Sequence, residues 1–448
     1  NMYFCSVMVI ETIGHASLVI KNNQNKAILL TDPWLIGSVY WRSWWLQNYP
    51  SEAQLAELSD VKYCYITHEH PDHFHTASIR KLGKNPIYIS PLLPQDNISS
   101  FLAEQGNKAR SLKPFTWHKL EETISILSIP LLNDDSCLII DTPKAVIINL
   151  NDAKPTKSQL KQLQEFIAKN MSGKKIIVLS SYSPASIVNS FRKDSEYVSL
   201  KDKSKYIDYL NGIVDVLNAD YFIPFASQVI FYRPDSAWAN EYKVTYDDIN
   251  KGWKAKKTKL LPPYSKLDLN TFKTSFIKPE NYNHDPEWIK GKVEKHMQAE
   301  ANVNVTDEDL KKIAKKLRSQ RVFLSVLFPK GIGFITNKRE FTFKPWTGGI
   351  VEGLTKNHGF AIRVPDQALK DAIEFGHFGD LGITMFTILI LNRSNNPKLI
   401  YVFFILLTLH DYKHTMNMGN FFKWTKSSAK NYKWKFPKMG KEVELVGA

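Results

Sequence analysis

The stretch Thr67-His68-Glu69-His70-Pro71-Asp72-His73-Phe74-His75 follows a compact apolar segment and decides how this chain is interpreted. Its imidazoles and its carboxylate have the spacing H-x-H-x-D-H at the end of a predicted strand. Residues two apart in an extended segment point the same way, so His68 and His70 can hold one metal ion while Asp72 and His73 reach a second. The full interval pattern favours this metal site over an exposed histidine-rich loop without a chemical role. Imidazole and carboxylate donors suit zinc, iron, manganese or nickel, and Asp72 can also hold or deprotonate a bound water.

The motif H-x-H-x-D-H after a strand resembles the signature of the metallo-β-lactamase superfamily. The segment ILLTDPWL at 28–35 resembles the early strand and turn of that superfamily. Residues 36–46, which include RSWWL, are similar to the catalytic region of the CMP-N-acetylneuraminate hydroxylase family, as are 218–226 and 262–269. The resemblance covers roughly residues 8 to 270 with gaps, and it implies an αββα sandwich with metal-binding loops at one edge.

The resemblance also implies where the remaining metal ligands lie. A typical hydrolase of this superfamily supplies a third histidine after the strand that ends near Ile129. Here the equivalent stretch has no histidine and two adjacent acids, Asp134 and Asp135, so we predict that one of them occupies the position. For either residue taken alone, the alternative is equally open that it is an ordinary acid in an exposed turn between strands and binds no metal. The apolar strand 145–150 delivers Asp152 where the fold expects a metal-bridging aspartate.

Exchanging an imidazole for a carboxylate changes the expected chemistry. Carboxylates are hard anionic donors that stabilise oxidised iron, whereas histidine-rich sites suit zinc. The resemblance to dinuclear oxygenases therefore favours two iron ions and a dioxygen-dependent hydroxylation of a polar metabolite, such as an amino sugar or nucleotide sugar. The alternative is a zinc- or manganese-dependent hydrolase of an ester, amide or phosphodiester. A non-catalytic module, in which the site only supports the structure, is a third possibility.

Two further histidines need interpretation. The superfamily's final histidine has no counterpart in 224–228, and the hydroxylases resemble this chain there. His284 is the next histidine after Asp152, and we interpret it as an ordinary loop residue over a metal ligand. His15 opens the first hairpin, so we predict that it lines the site or supports a metal ligand there, although a satisfied core histidine is an open alternative. Asp72 and His15 are the candidate catalytic residues.

A tryptophan-rich segment follows the early strand. Its aromatic rings can wall a substrate pocket and stack on a base or sugar, while Arg42 can bind a phosphate or carboxylate. We predict Arg42, Trp44 and Trp45 as substrate-binding residues. Core packing explains part of the set equally well.

Composition and charge limit the class of protein. Hydrophobic residues make up 43% and charged residues 23% of the 448 residues, which excludes wholesale disorder. The net charge of +15 favours an anionic partner. We expect an anionic small-molecule substrate, and nucleic acid is not the expected ligand. Lysine-rich solvated faces are the simpler explanation of the charge.

Cysteine usage and hydropathy bear on location and on the electron source. Cys5, Cys64 and Cys137 lie in or beside apolar strands, which indicates reduced thiols and cytoplasmic residence, as does the absence of a secretory segment after Met2. The chain lacks the paired cysteine and histidine motifs of a Rieske cluster. An oxygenase of this kind would then need a separate electron-donor protein of ferredoxin or Rieske type. The apolar runs 382–391 and 399–409 are too short to span a bilayer.

The predicted architecture is an αββα metallo-β-lactamase domain at 1–270, a linker at 271–285 and a smaller α+β domain at 286–448. The last of these resembles the sterol-carrier-like domain appended to some members of the family. Residues 322–328 and 332–336 are predicted to form a hairpin, 366–375 a helix and 383–391 a strand. In the first domain, the strands are predicted at 3–11, 16–21, 26–32, 61–66, 86–90, 123–129, 136–141 and 144–150, and the helices at 52–58, 76–83, 95–105, 156–170 and 202–218.

Overall fold

The strand that precedes the H-x-H-x-D-H motif belongs to the first of two eight-stranded sheets. A computed structural model describes residues 8–131, 134–183, 191–193, 196–197, 203–277, 285–391, 397–432, 434–436 and 443–446. The strands of the first sheet are β1 (Val9–Ile13), β2 (Ser17–Lys21), β3 (Ala27–Thr31), β6 (Tyr63–Tyr65), β7 (Ile87–Pro91), β8 (Lys108–Leu112), β19 (Ser265–Asp268) and β20 (Thr274–Phe276). Their spatial order is β20-β19-β1-β2-β3-β6-β7-β8, and the run from β3 to β8 is parallel.

The second sheet packs face to face on the first. Its spatial order is β18-β16-β13-β12-β11-β10-β9-β26. Its strands are β9 (Trp117–Glu121), β10 (Ile124–Pro130), β11 (Ser136–Asp141), β12 (Ala145–Asn151), β13 (Lys175–Ser181), β16 (Tyr221–Phe225), β18 (Lys259–Leu260) and β26 (Val443–Leu445). One buried cluster joins the two sheets, with Leu18 and Leu29 from the first against Ile140 and Ile147 from the second. Because side chains alternate along a strand, the other face of each sheet must bury its apolar residues elsewhere.

Helices cover those outer faces. The helices of the first 270 residues are α1 (Glu52–Leu58), α2 (Thr76–Leu82), α3 (Asn97–Glu104), α4 (Lys157–Asn170), α5 (Ser204–Leu217) and α6 (Tyr246–Gly252). The first sheet packs against α1, α2 and α3, and the second against α4 and α5. Capping boxes begin α1 at Ser51 and α4 at Thr156, where each side chain accepts a backbone N–H. The layers run helix, sheet, sheet, helix, which confirms the predicted αββα fold.

A third sheet forms the core of the C-terminal part, in the order β15-β14-β25-β24-β21-β22-β23. Its strands are β14 (Phe191–Lys193), β15 (Glu196–Tyr197), β21 (Ile332–Ile335), β22 (Glu340–Lys344), β23 (Gly349–Glu352), β24 (Phe360–Arg363) and β25 (Ile388–Leu391). The helices around it are α7 (Pro286–Glu300), α8 (Asp307–Arg318), α9 (Arg321–Leu327), α10 (Asp366–Glu374), α11 (Pro397–Asp411) and α12 (Met418–Tyr432). A small sheet of β4 (Ser38–Val39), β5 (Trp44–Leu46) and β17 (Val229–Phe231) holds the tryptophan-rich segment.

Most predicted elements agree with the structure where it describes them, and two do not. Residues 3–7 of the first predicted strand lie outside the described residues. Residues 322–328 do not form a strand, because Arg321–Leu327 is a helix that buries Leu324 and exposes Val322 and Val326. The strand predicted at 383–391 is only Ile388–Leu391, preceded by a 3₁₀ helix. Both runs are short and apolar, and periodicity alone does not separate a strand from a buried helix in such runs.

The two parts of the chain exchange strands. β14 pairs in parallel with β25 of the C-terminal sheet, and β26 pairs with β9 of the second sheet. The division at 270 stays a prediction. Among the described residues, none of the helices combines the length and the hydropathy that crossing a bilayer requires.

Candidate metal centre

Five loops at one edge of the sandwich supply the site. The loop after β6 carries the H-x-H-x-D-H motif and turns tightly, since the amides of His73 and Phe74 both donate to the carbonyl of His70. His75 ends this loop by capping α2, where its Nδ1 atom accepts from the amide of Ser78. Asp32 follows β3, Asp152 follows β12, His15 lies in the β1–β2 turn, and Asp134 and Asp135 lie between β10 and β11.

His68 and His70 converge as the spacing predicts. Nε2 of His68 lies 2.8 Å from Nδ1 of His70, and both nitrogens are metal-donor atoms. Nδ1 of His68 lies 3.0 Å from the hydroxyl oxygen of Thr67 and 3.4 Å from Oδ1 of Asp135. These oxygens can accept the Nδ1 proton, which leaves the Nε2 lone pair for a metal ion.

His73 is oriented in the same manner by a carboxylate behind it. Its Nδ1 atom lies 2.9 Å from Oδ2 of Asp32, and Asp32 also accepts from the amide and the hydroxyl of Thr67, each at 2.8 Å. Both His73 and Asp32 are fully buried. Nε2 of His73 faces the other acids, 3.3 Å from Oδ2 of Asp152 and 3.5 Å from Oδ2 of Asp72. A carboxylate that holds one ring nitrogen while the other faces a metal is a recurrent arrangement of metal-binding histidines.

Asp72 is buried between two polar partners. Its Oδ1 atom accepts from the hydroxyl of Tyr40 at 2.6 Å, and its Oδ2 atom lies 3.1 Å from Nε2 of His15. His15 is also buried, and its Nδ1 atom has no hydrogen-bond partner among the residues described. The structure thus places His15 beside Asp72, and a catalytic role for either residue stays a prediction.

The donor atoms form two adjoining groups that share His73. One ligand atom each from His15, Asp72 and His73 lie within 4.8 Å of one another, and so do those of His68, His73 and Asp152. His70 extends the second group through its contact with His68. A set of imidazoles and buried carboxylates in overlapping groups fits two neighbouring metal ions, because a cation offsets the cost of burying the acids.

The two acids after β10 have different surroundings. Asp135 is buried beside His68 and accepts from the amide of Ser136 at 2.7 Å. Burial, and then the nearby charge of Asp152, hold the pKa of the Asp135 carboxyl well above its ordinary value. Asp134 is buried as well, but it contacts Nε2 of His414 from the C-terminal part. The structure therefore brings Asp135 to the cluster and pairs Asp134 with a distant histidine.

The predicted substrate-binding residues lie in different places. Trp44 is buried with its ring 6.3 Å from that of His15. Trp45 is fully buried and packs on Trp288 at 5.9 Å, away from the histidine cluster. The side chain of Arg42 is half-buried, and its carbonyl accepts from the indole of Trp45. Substrate binding by these three residues stays a prediction. His284 lies outside the described residues.

Sequence analysis missed three residues that touch the site. Asp32 lies in the quoted segment ILLTDPWL, so its position after β3 was an available signal. Tyr40 and His414 carried no such signal in the sequence. Tyr40 resembles an ordinary aromatic residue, and His414 lies 280 positions from its partner Asp134.

The charges of the cluster predict how the metal-free protein responds to pH. Burial alone would lower the pKa of His73, but the carboxylates of Asp72 and Asp32 raise it well above the ordinary 6.5. Burial alone would raise the pKa of Asp72, but His73 and His15 lower it well below 3.8. The His73 contribution to stability is complete below pH 6.5 and is lost as pH rises through the folded pKa. The Asp72 contribution is present above pH 3.8 and is lost as pH falls.

We therefore expect this network to stabilise the metal-free protein most between about pH 4 and 6.5. Urea unfolding of the chelator-treated parent and of a His73→Gln variant across pH 4 to 9 measures this contribution to the unfolding free energy. The difference in unfolding free energy between parent and variant should shrink above pH 6.5. A difference that is constant or grows up to pH 9 would contradict the charge assignment.

Comparisons with known proteins agree with the resemblance of the motif. No family model matches the chain. The chain is 24% identical over 249 residues to the cytidine monophosphate-N-acetylneuraminic acid hydroxylase of Xenopus laevis, covering 52% of this chain and 40% of that protein. It is 22% identical over 252 residues to the inactive cytidine monophosphate-N-acetylneuraminic acid hydroxylase of Homo sapiens, covering 53% of this chain and 48% of that protein. The chain thus spans less than half the length of these curated relatives.

Solved structures give more distant similarities. Igni18, a metallo hydrolase from Ignicoccus hospitalis, is 13% identical with a TM-score of 0.35, covering 61% of this chain and all of that one. An isothiocyanate hydrolase from Delia radicum gut bacteria is 16% identical with a TM-score of 0.38, and the similarity covers 58% of this chain and 98% of that one. These scores carry no weight for function. The layered fold and the hydroxylase similarity agree with the resemblance to the metallo-β-lactamase superfamily, and the histidine and aspartate groups are candidate metal sites in that fold.

Proposed function

We propose that the chain is a dinuclear iron enzyme that uses dioxygen to hydroxylate a polar, anionic metabolite, with an amino sugar or nucleotide sugar as the substrate class. The observation that carries this proposal is the carboxylate-rich cluster, in which Asp72 and Asp152 lie among the motif imidazoles of His68 and His73. His70 contacts His68 in front, and Asp135 lies behind it. Hard anionic donors favour iron over zinc. The similarity to the hydroxylases supports the same choice.

The residues of the cluster have separable roles in this proposal. His68 and His70 would hold one ion, Asp72 and His73 the second, and Asp152 would lie between them. The iron pair would supply the redox chemistry with dioxygen. Asp32 keeps the Nδ1 proton of His73 in place, so that Nε2 remains a donor. Asp135 and Thr67 do the same for His68.

His15 and Asp72 would manage protons beside the second ion. Nε2 of His15 lies 3.1 Å from Oδ2 of Asp72, a distance over which a proton can be shared. Both side chains are buried, and the pKa of Asp72 lies well below its ordinary value, so His15 would be the member of the pair that carries a proton. Conversion of one C–H bond to C–OH with one dioxygen also consumes two electrons and two protons and releases one water. We propose a separate ferredoxin or Rieske-type protein as the electron source.

The charge of the protein supports the substrate class. The net charge of +15 would attract a phosphate- or carboxylate-bearing metabolite. Arg42 is half-buried and next to the strand that carries Trp44, so it can bind such an anion while Trp44 closes the site beside His15. Trp45 is the least accessible of the three.

Metal analysis combined with oxygen consumption tests the proposal. We expect about two iron ions per chain after anaerobic reconstitution, and oxygen uptake with a reduced ferredoxin that rises when CMP-linked amino sugars are added. Arg42→Ala should raise KM for the sugar nucleotide, and Arg80→Ala, which changes an arginine on the outer helix α2, is the matched control. Two zinc ions, no oxygen uptake and hydrolysis of an ester, amide or phosphodiester would replace this proposal with the hydrolase alternative.

A further inference from the structure

Three consecutive residues without glycine adopt the left-handed conformation beside the site. The φ angles of Tyr40, Trp41 and Arg42 are 51°, 52° and 60°. Residues with a Cβ atom rarely adopt this conformation even singly, because the Cβ atom approaches the following carbonyl oxygen. Such a turn persists only where surrounding contacts determine it, and unfavourable backbone of this kind concentrates at functional sites.

Two groups from the C-terminal part, and Arg233 from the first part, hold this turn. The indole nitrogen of Trp41 donates to Oδ2 of Asp371 in α10 at 2.9 Å. The carbonyl of Trp41 accepts from Nη1 of Arg233 at 3.0 Å. The next residue, Ser43, donates its hydroxyl to the carbonyl of Thr384 at 2.6 Å.

Arg233 is itself fixed by the C-terminal part of the chain. It is fully buried, and its guanidinium lies 4.4 Å from the ring centre of Phe386. Its Nη2 atom lies 2.8 Å from both Asp235 and Glu300, and Glu300 ends α7. A buried arginine with two carboxylate partners has one defined orientation, so the carbonyl of Trp41 has one defined donor.

The turn places Tyr40 on a predicted metal ligand. The Tyr40 hydroxyl donates to Oδ1 of Asp72 at 2.6 Å, and Tyr40 is buried. Oδ2 of Asp72 then faces His15 and His73.

We propose that Tyr40 is a positioning residue for Asp72, and that the C-terminal part, by holding the left-handed turn at 40–42, sets the affinity of the metal position that Asp72 serves. The inference rests on the proposed function only in requiring Asp72 as a metal ligand. Removing a partner that orients a metal ligand weakens metal binding about 10- to 100-fold. The other position, served by His68 and His70, has no contact with Tyr40 among the described residues.

Metal titration of the full chain tests the role of Tyr40. Tyr40→Phe removes one hydroxyl and keeps the ring, and Tyr49→Phe is the matched control, since Tyr49 donates to the carbonyl of Gly37 in the same aromatic cluster. Cobalt is used as the probe, because its visible absorption reports the geometry of each site as it fills. We expect Tyr40→Phe to raise the dissociation constant of the second cobalt ion about 10-fold or more and to leave that of the first unchanged. Tyr49→Phe should change neither dissociation constant.

A second pair of variants tests the contribution of the C-terminal part. Asp371→Ala removes the acceptor of the Trp41 indole, and Glu374→Ala changes an exposed residue of the same helix that pairs with Lys312. We expect Asp371→Ala to weaken the binding of the second cobalt ion several-fold. Glu374→Ala should leave the binding of both ions unchanged. Circular dichroism establishes that each variant is folded.

The outcomes separate this inference from the proposed function. If the parent protein binds two cobalt ions and Tyr40→Phe binds both equally well, or loses both equally, Tyr40 does not position Asp72. If Tyr40→Phe weakens the second ion but Asp371→Ala does not, the C-terminal part does not set its affinity. A parent protein that binds fewer than two ions would overturn the dinuclear function itself.

Discussion

Replacing His73 with alanine is expected to reduce metal content from two ions per chain to one or none and to lower turnover about 1,000-fold or more. The reason is the position of His73, which is a member of both groups of candidate ligand residues. Its Nε2 atom lies 3.5 Å from Oδ2 of Asp72 and 3.3 Å from Oδ2 of Asp152, so it would be an imidazole donor to the second ion beside both acids. A metal-bound site supplies several kcal/mol of charge stabilisation, and about 4 kcal/mol corresponds to a factor of about 1,000 in rate. Metal content by mass spectrometry and turnover on the same sample measure both effects.

His75→Asn is the matched control for this variant. His75 is a buried histidine of the same loop, but it caps α2 through Ser78, and asparagine is also a good N-cap residue. The control should retain both metals and near-parental turnover. Full metal content in His73→Ala, or equal loss in His75→Asn, would show that His73 is not a metal ligand.

The local part of the site was predictable from sequence. The spacing of His68, His70, Asp72 and His73 fixes their convergence once the strand before them is recognised, because side-chain direction in a strand and a tight turn depends only on nearby residues. Asp152 follows a strand whose apolar residues are buried on both faces, and such strands are conspicuous in a sequence. These elements agree with the structure because a few neighbouring residues decide them.

The surroundings of the site were not predictable in this way. Tyr40 reaches Asp72 only because a left-handed turn, unfavourable for its own residues, is held by Arg233 and Asp371. His414 meets Asp134 through the packing of the C-terminal part. Both arrangements depend on contacts between residues far apart in the chain, and no local pattern carries that information. The same limit explains α9, where tertiary packing of Leu324 and Phe328 selects a helix from an ambiguous apolar run.

Asp32→Ala is expected to destabilise the protein by about 3 to 5 kcal/mol. The carboxylate accepts from the amide of Thr67, the hydroxyl of Thr67 and Nδ1 of His73, and its side chain is fully buried. Removing it takes away the carboxylate that accepts from all three donors in a fully buried place, and the amide of Thr67 loses its side-chain acceptor. Each unsatisfied buried group costs about 1 to 3 kcal/mol. Urea unfolding of the chelator-treated parent and variant at pH 6 gives the difference in unfolding free energy.

Asp366→Ala separates the stability effect from the metal effect. Asp366 is also fully buried and accepts from the amides of Val305 and Asn337 and from the hydroxyl of Thr336, but it lies in the C-terminal part. Both variants should lose similar stability, because each takes away a buried carboxylate that accepts from three donors. Only Asp32→Ala should also weaken metal binding in its folded fraction, about 10- to 100-fold, because only Asp32 orients a metal-binding histidine. Equal metal affinity in the two folded variants would mean that Asp32 contributes to stability alone and that the orientation of His73 comes from its packing against His68 and His15.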